Sequence, residues 1–145
     1  MYRCVVVGTD GSSTADQAVQ LAAALARDWN AALHIVTAYR VGRSGTGAAS
    51  AGPIGEGGVR GELQRGAAEE VIKKAAASWG EGINTEAHLV DKPSADAIVD
   101  TAQAVSADLI VVGSKGMHGA RRVLGSVPNS VAHGANCAVL IVKTD

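Results

Sequence analysis

Two stretches of the chain, Val5-Val6-Val7 and Leu109-Ile110-Val111-Val112, are apolar at every position and rich in β-branched residues. They are too short for helices and do not alternate with polar residues, so strands made from them need cover on both faces. That requirement suits parallel strands sandwiched between helices, and the intervening segments supply the helices. Ala18, Leu21, Ala22, Leu25, Ala26 and Trp29 recur at helical spacing behind Ser13, which has Asp16 three residues on, as in a capping box. A second helix is expected from Glu62 to Trp79 on the period of Ala68, Val71, Ile72, Ala75 and Trp79. Pro93 opens a third, with Ala95, Ile98, Ala102 and Val105 on its buried side. A short fourth helix runs from Val127 to His133 and closes at Gly134.

The remaining strands are expected at Ala32–Ala38, Ile83–Val90 and Cys137–Val142, with the first over Arg3–Thr9. Ile83–Val90 alternates apolar and polar residues, the mark of a strand with one exposed face at a sheet edge. Leu109–Val112, the most uniformly apolar, is expected to be central. Five strands and four helices in strict alternation describe a doubly wound, parallel α/β fold. The 145 residues are expected to form one domain, interrupted by a flexible loop at about 41–60 that holds Gly42, Gly45, Gly47, Gly52, Gly55, Gly57 and Gly58.

Composition removes several function classes. A net charge of −1 argues against general nucleic-acid or membrane-surface binding, and 3% aromatic residues with no Phe argue against base-stacking platforms. No apolar run approaches signal-peptide or membrane-spanning length, so a cytoplasmic location is expected. Cys4 and Cys137 each open a strand, lack neighbouring ligands at metal spacing, and read as buried free thiols.

The chemistry concentrates in two turns. Leu109–Val112 runs into Gly113-Ser114-Lys115-Gly116 and on through Gly119, Arg121 and Arg122 to Gly125-Ser126-Val127-Pro128. A buried strand that ends in glycines and reopens as a helix at a capping serine offers backbone N–H groups and a helix N-terminus to an anion, most often a phosphate. Lys115 and one of the adjacent Arg121 and Arg122 could neutralise a polyphosphate. In a doubly wound sheet this loop faces the turn after the first strand, Thr9-Asp10-Gly11-Ser12, across the crevice where strand order reverses. Asp10 has three readings there: a turn residue bonded to its own backbone, a carboxylate holding a divalent cation or a ribose hydroxyl, or a phospho-acceptor. The last lacks an accompanying acid cluster. Dinucleotide-binding, P-loop, nucleophile-elbow and His-Glu-x-x-His signatures are all missing. His34 and His88 read as structural histidines inside strands, His118 as a residue able to touch a ligand, and His133 as a helix-end charge.

These residues resemble the universal stress protein family. The resemblance is carried by Val5-Val6-Val7-Gly8-Thr9-Asp10-Gly11-Ser12, by Asp108 to Gly116, and by Leu124-Gly125-Ser126-Val127-Pro128 with Cys137 to Val142. It implies an adenine nucleotide alpha hydrolase-like sheet of order 3-2-1-4-5, usually a homodimer, and in one branch an ATP site marked Gly-x2-Gly-x9-Gly-Ser/Thr. Gly113 and Gly116 match its start and Gly125-Ser126 its end, with eight residues between Gly116 and Gly125 instead of nine. The resemblance places Asp10 near the phosphates, flanked by Thr9 and Ser12, where Mg or Mn could accompany a triphosphate. It places Thr37 and Ala38 against adenine, Gly113 and Gly116 on ribose and phosphate, and Gly125, Ser126 and Val127 in the phosphate turn. Asp91-Lys92-Pro93 stands where the family has Gly-x-Pro. The expected function is regulatory binding of ATP in a stress response, with no catalytic residue assigned and slow ATP hydrolysis at most. The alternatives are an AMP or cyclic AMP ligand, a non-nucleotide interaction module and a weak ATP hydrolase. A homodimer through Cys137–Val142 has its own rationale, because pairing would cover an apolar edge strand. No nucleic-acid or membrane partner is expected, and no protein partner is named by the sequence.

Overall fold

The computed structural model describes residues 2–41, 54–114 and 126–144, with backbone only for 54–58. Its elements are β1 (Cys4–Gly8), α1 (Ser13–Trp29), β2 (Ala32–Tyr39), α2 (Ile54–Trp79), β3 (Thr85–Asp91), α3 (Ser94–Ala104), β4 (Leu109–Gly113), α4 (Val127–Gly134) and β5 (Ala138–Val142). All strand pairs are parallel, in the order β3-β2-β1-β4-β5. β1 is the middle strand and β3 an edge; β4 is interior.

The uniform valine run has a direct structural reason. Successive side chains of a strand point to opposite faces, and both faces of β1 are covered. Val5 and Val7, with Leu33, Ile35, Leu109 and Val111, pack beneath Ala18, Val19, Ala22 and Ala26 of α1 and Ile72 and Ala75 of α2. Val6, with Val36, Ile110 and Val112, packs beneath Ala97, Ile98 and Ala102 of α3 and Val131 of α4. Val5, Val6 and Val7 are wholly removed from solvent. Each such burial contributes about 1.5–3 kcal/mol. The alanines of α1 let its backbone sit close on the sheet.

Local details depart from the sequence reading in three places. α1 is capped by Ser12, whose hydroxyl accepts from the Ala15 amide at 3.2 Å, not by a Ser13–Asp16 box. The Gly11 turn delivers Ser12 in the extended conformation a cap needs, which leaves Asp16 free to accept from Trp79 Nε1 at 2.8 Å. α2 starts at Ile54 rather than Glu62, so Gly55, Gly57 and Gly58 are helical and not part of a loop. Each glycine costs a helix about 1 kcal/mol, but propagation from a nucleus already packed on the sheet at Ala68, Ile72 and Ala75 proceeds through it. The rest of the expected loop, 42–53, lies outside the described residues. Cys4 and Cys137 are unpaired thiols but only half-buried; burial, the larger cause, and Asp108 push both above the usual thiol range.

β1 and β4 are stapled at their entrances. Asp108 Oδ2 accepts from the amides of Arg3 at 2.7 Å and Cys4 at 2.9 Å, while the Asp108 amide donates to the Cys4 carbonyl at 2.9 Å. Among the described residues, no helix is long and apolar enough to cross a membrane.

The Arg3 amide is the main cause, with the Cys4 amide assisting, that holds the Asp108 carboxyl below the usual carboxylate range. A depressed folded-state pKa gives stability that is complete above the unfolded value and lost as pH falls through the folded one. Asp108→Asn is therefore expected to lower the urea midpoint near neutral pH. The gap to the parent should close as both are acidified below the ordinary carboxylate pKa, in a series of urea melts.

Candidate functional site

The strands of a parallel sheet all end on one rim, and the helices that follow begin there. In this chain strand order reverses between β1 and β4, and the rim opens at that point into a crevice of about 670 Å³, open to solvent. Its floor comes from Val36 and Ala38 of β2, Gly8 of β1, and Val112 and Gly113 of β4. Ile98 of α3 forms a wall, and Thr9, Asp10 and Ser12 form the turn at its mouth.

That turn is fixed by its own side chains. The Thr9 amide extends the sheet ladder to the Val36 carbonyl at 2.9 Å, and Thr9 Oγ1 accepts from the Gly11 amide at 3.1 Å. Asp10 Oδ1 accepts from the Ser12 amide at 2.9 Å. Ser12 then caps α1. Gly11 has φ +82°, and a Cβ there would lie 2.8 Å from Val71 Cγ2, so α2 packs directly on this turn. Asp10 thus performs the turn role while its residue lines the crevice.

On the opposite side the Ser114 amide donates to the Val142 carbonyl at 2.7 Å, and Ser114 Oγ accepts from the Thr144 amide at 3.1 Å. These bonds fix the chain as it leaves β4. The chain returns at Ser126, whose hydroxyl caps α4 by accepting from the Asn129 amide at 3.3 Å, with Pro128 in the first turn.

Three helices start at the crevice: α1 presents Thr14 and Ala15, α3 Ser94, and α4 Val127 and Pro128. Each N-terminus carries roughly half a positive charge from its unpaired N–H groups. Asp10 is the one charged side chain among the described lining residues. The described part of the crevice therefore favours an anion through backbone dipoles, with a carboxylate at its mouth. A lone carboxylate does not make a metal cage, but it fits Mg²⁺, which takes one or two carboxylates together with phosphate oxygens and water.

Of the residues singled out from sequence, Thr9, Asp10, Ser12, Ala38, Gly113 and Val127 meet here. Ser126 does not line the space but caps the helix that does. Thr37 does not join them. Alternation along β2 sends its side chain to the α1–α2 face, where it is buried and its Oγ1 has no hydrogen-bond partner among the described residues. Lys115, Gly116, Gly125 and His118 lie outside the described residues. Val36, Ile98, Thr14, Ala15 and Ser94 also line the crevice and are not among the residues the sequence singles out. Period-two spacing back from Ala38 would have found Val36, and Ile98 was assigned only to the core.

The model of the universal stress protein family matches residues 1–143. A universal stress protein of Mycobacterium tuberculosis H37Rv is 38% identical over 144 residues, covering 99% of this chain and 97% of the relative. Among solved structures, a universal stress protein in complex with cAMP is 36% identical, with a TM-score of 0.69 and 99% and 98% of the two chains covered. The universal stress protein from Archaeoglobus fulgidus in complex with dAMP is 27% identical at a TM-score of 0.59, with 98% of each chain covered.

The turn geometry is open to test by substitution. Gly11→Ala is expected to cost about 1–2 kcal/mol through its positive φ, beyond any shift forced on Val71. Gly66→Ala in α2, where an added methyl meets nothing within 4 Å, should instead stabilise by about 0.5–1 kcal/mol. Urea unfolding of the two variants beside the parent reads both signs.

Proposed function

The chain belongs to the universal stress protein family, and from that premise we propose that its switch-point crevice binds an adenine nucleotide in a regulatory rather than catalytic role. The observation that carries this reading is the convergence of three helix N-termini and the polar Thr9–Ser12 turn on one crevice with an apolar floor. The floor at Val36 and Ala38 suits a flat base, and the amide-rich rim suits phosphate. The relatives solved with cAMP and dAMP support an adenine ligand. For a triphosphate, Asp10 would share Mg²⁺ or Mn²⁺ with the phosphates, and the loop residues Lys115, Gly116 and Gly125 would complete the grip with Ser126 and Val127. A monophosphate, AMP or cyclic AMP, is the second reading. It is favoured by those two complexes and by the eight-residue spacing from Gly116 to Gly125. We place the protein in the cytoplasm, as a homodimer paired along β5, whose apolar residues are only half-covered or exposed.

Calorimetric titration with ATP, AMP and cyclic AMP tests the assignment. Ala38→Trp, which fills the crevice floor, should weaken every nucleotide that binds at least about tenfold while leaving the circular dichroism spectrum unchanged. Asp10→Asn should remove the magnesium dependence of ATP affinity and leave cyclic AMP binding nearly intact. A folded parent that binds none of the three, or an Ala38→Trp variant that binds as the parent does, overturns the reading.

A further inference from the structure

A second constellation lies away from the rim, on the α3 side of the sheet near its β3 edge. His34 pairs in register with Glu86, and Val36 with His88, so the three polar side chains share one face of two adjacent strands. His34 is 8% exposed, whereas the Glu86 side chain is 67% exposed. His34 Nδ1 lies 2.9 Å from His88 Nε2 and 3.5 Å from Glu86 Oε2, and all three ligand-type atoms fall within 4.8 Å of one another. A tetrahedral zinc ion with bonds of about 2.0–2.1 Å needs ligand atoms about 3.3 Å apart. The two measured separations bracket that spacing, and each ring must turn by about 35° from the hydrogen-bond line to aim at a shared ion.

We infer that His34, Glu86 and His88 form a binding site for a divalent first-row transition ion of the zinc class, on the β2–β3 pair and separate from the nucleotide crevice. Two imidazole nitrogens with one carboxylate select such ions over Mg²⁺ and Ca²⁺, which prefer oxygen ligands. The exposed edge leaves a fourth position for water. Burial first, and His88 second, hold the His34 pKa below its usual value against the pull of Glu86, which favours the neutral imidazole that metals require. In the apo protein one ring donates to the other. On metal binding the donor ring changes tautomer, releasing that proton to solvent and taking one on its other nitrogen, so both neutral rings can ligate. Glu86 sits on the wet side, where it can turn toward the ion without disturbing the core. The inference does not rest on the nucleotide reading.

The test uses the full chain without a histidine tag, stripped with chelator and titrated with zinc chloride in a calorimeter, beside Glu86→Gln and His88→Gln. One zinc ion per chain is expected for the parent. Each variant should bind at least about tenfold more weakly, since loss even of outer-shell partners costs about 10–100-fold. Zinc should raise the thermal midpoint of the parent and leave both variants unmoved, and excess magnesium should not displace it. Glu86 is exposed, so its variant keeps the comparison valid if His88→Gln folds poorly. A parent that takes up no zinc overturns the inference, as do equal affinities in the parent and Glu86→Gln, which would place the ion on other histidines.

Discussion

The pairing of β1 with β4 is the contact on which everything else in this molecule depends. It joins the β3-β2-β1 half of the sheet to the β4-β5 half, and it creates the point at which strand order reverses. Val5, Val6 and Val7 match Leu109, Ile110 and Val111 in register, all nearly or fully buried, and Asp108 clamps the two strands where they enter the sheet. Without that pairing there are two half-sheets with open apolar edges and no crevice. The crevice is thus a by-product of topology, and side chains only tune what it can hold.

That tuning is economical. The described rim carries a single acid, Asp10, and gains its positive character from the starts of α1, α3 and α4. Ser12 and Ser126 each satisfy an amide of the helix they cap, and so fix the direction of the remaining N–H groups without adding charge. A site built from backbone dipoles depends little on pH near neutrality and demands accurate helix placement. The tight packing of Gly8 under Ile98, and of Gly11 against Val71, meets that demand.

Most of this was legible in the chain, for identifiable reasons. Apolar runs without alternation report burial on both faces and placed four of the strands, while alternation placed the edge strand β3, all within two residues. The Thr9–Ser12 turn and the Ser126 cap were legible because glycine and capping residues mark them. What was hidden depends on tertiary context. Thr37 resembles its neighbour Ala38 in one dimension, but the pleat puts them on opposite faces. The α2 start was hidden because glycine propensity is local whereas helix propagation is cooperative. The His34–His88 contact spans 54 residues and exists only through β2–β3 register, which no single-strand pattern encodes.

The Arg3–Asp108 bond joins residues 105 positions apart in the chain. The β1-α1-β2-α2-β3 half assembles from connections between successive elements, whereas the β1–β4 pairing closes a loop of about a hundred residues, and α3, packed on β1 and β2, brings β4 to it. Topology thus puts the largest loop-closure cost on joining the β4-β5 half. The crevice comes into being with that joining, since the Thr9–Ser12 turn meets the end of β4 and the start of α4 only across the β1–β4 seam. A molecule held in the crevice would bind the joined chain and not its separated halves, and so would act on folding as a clasp.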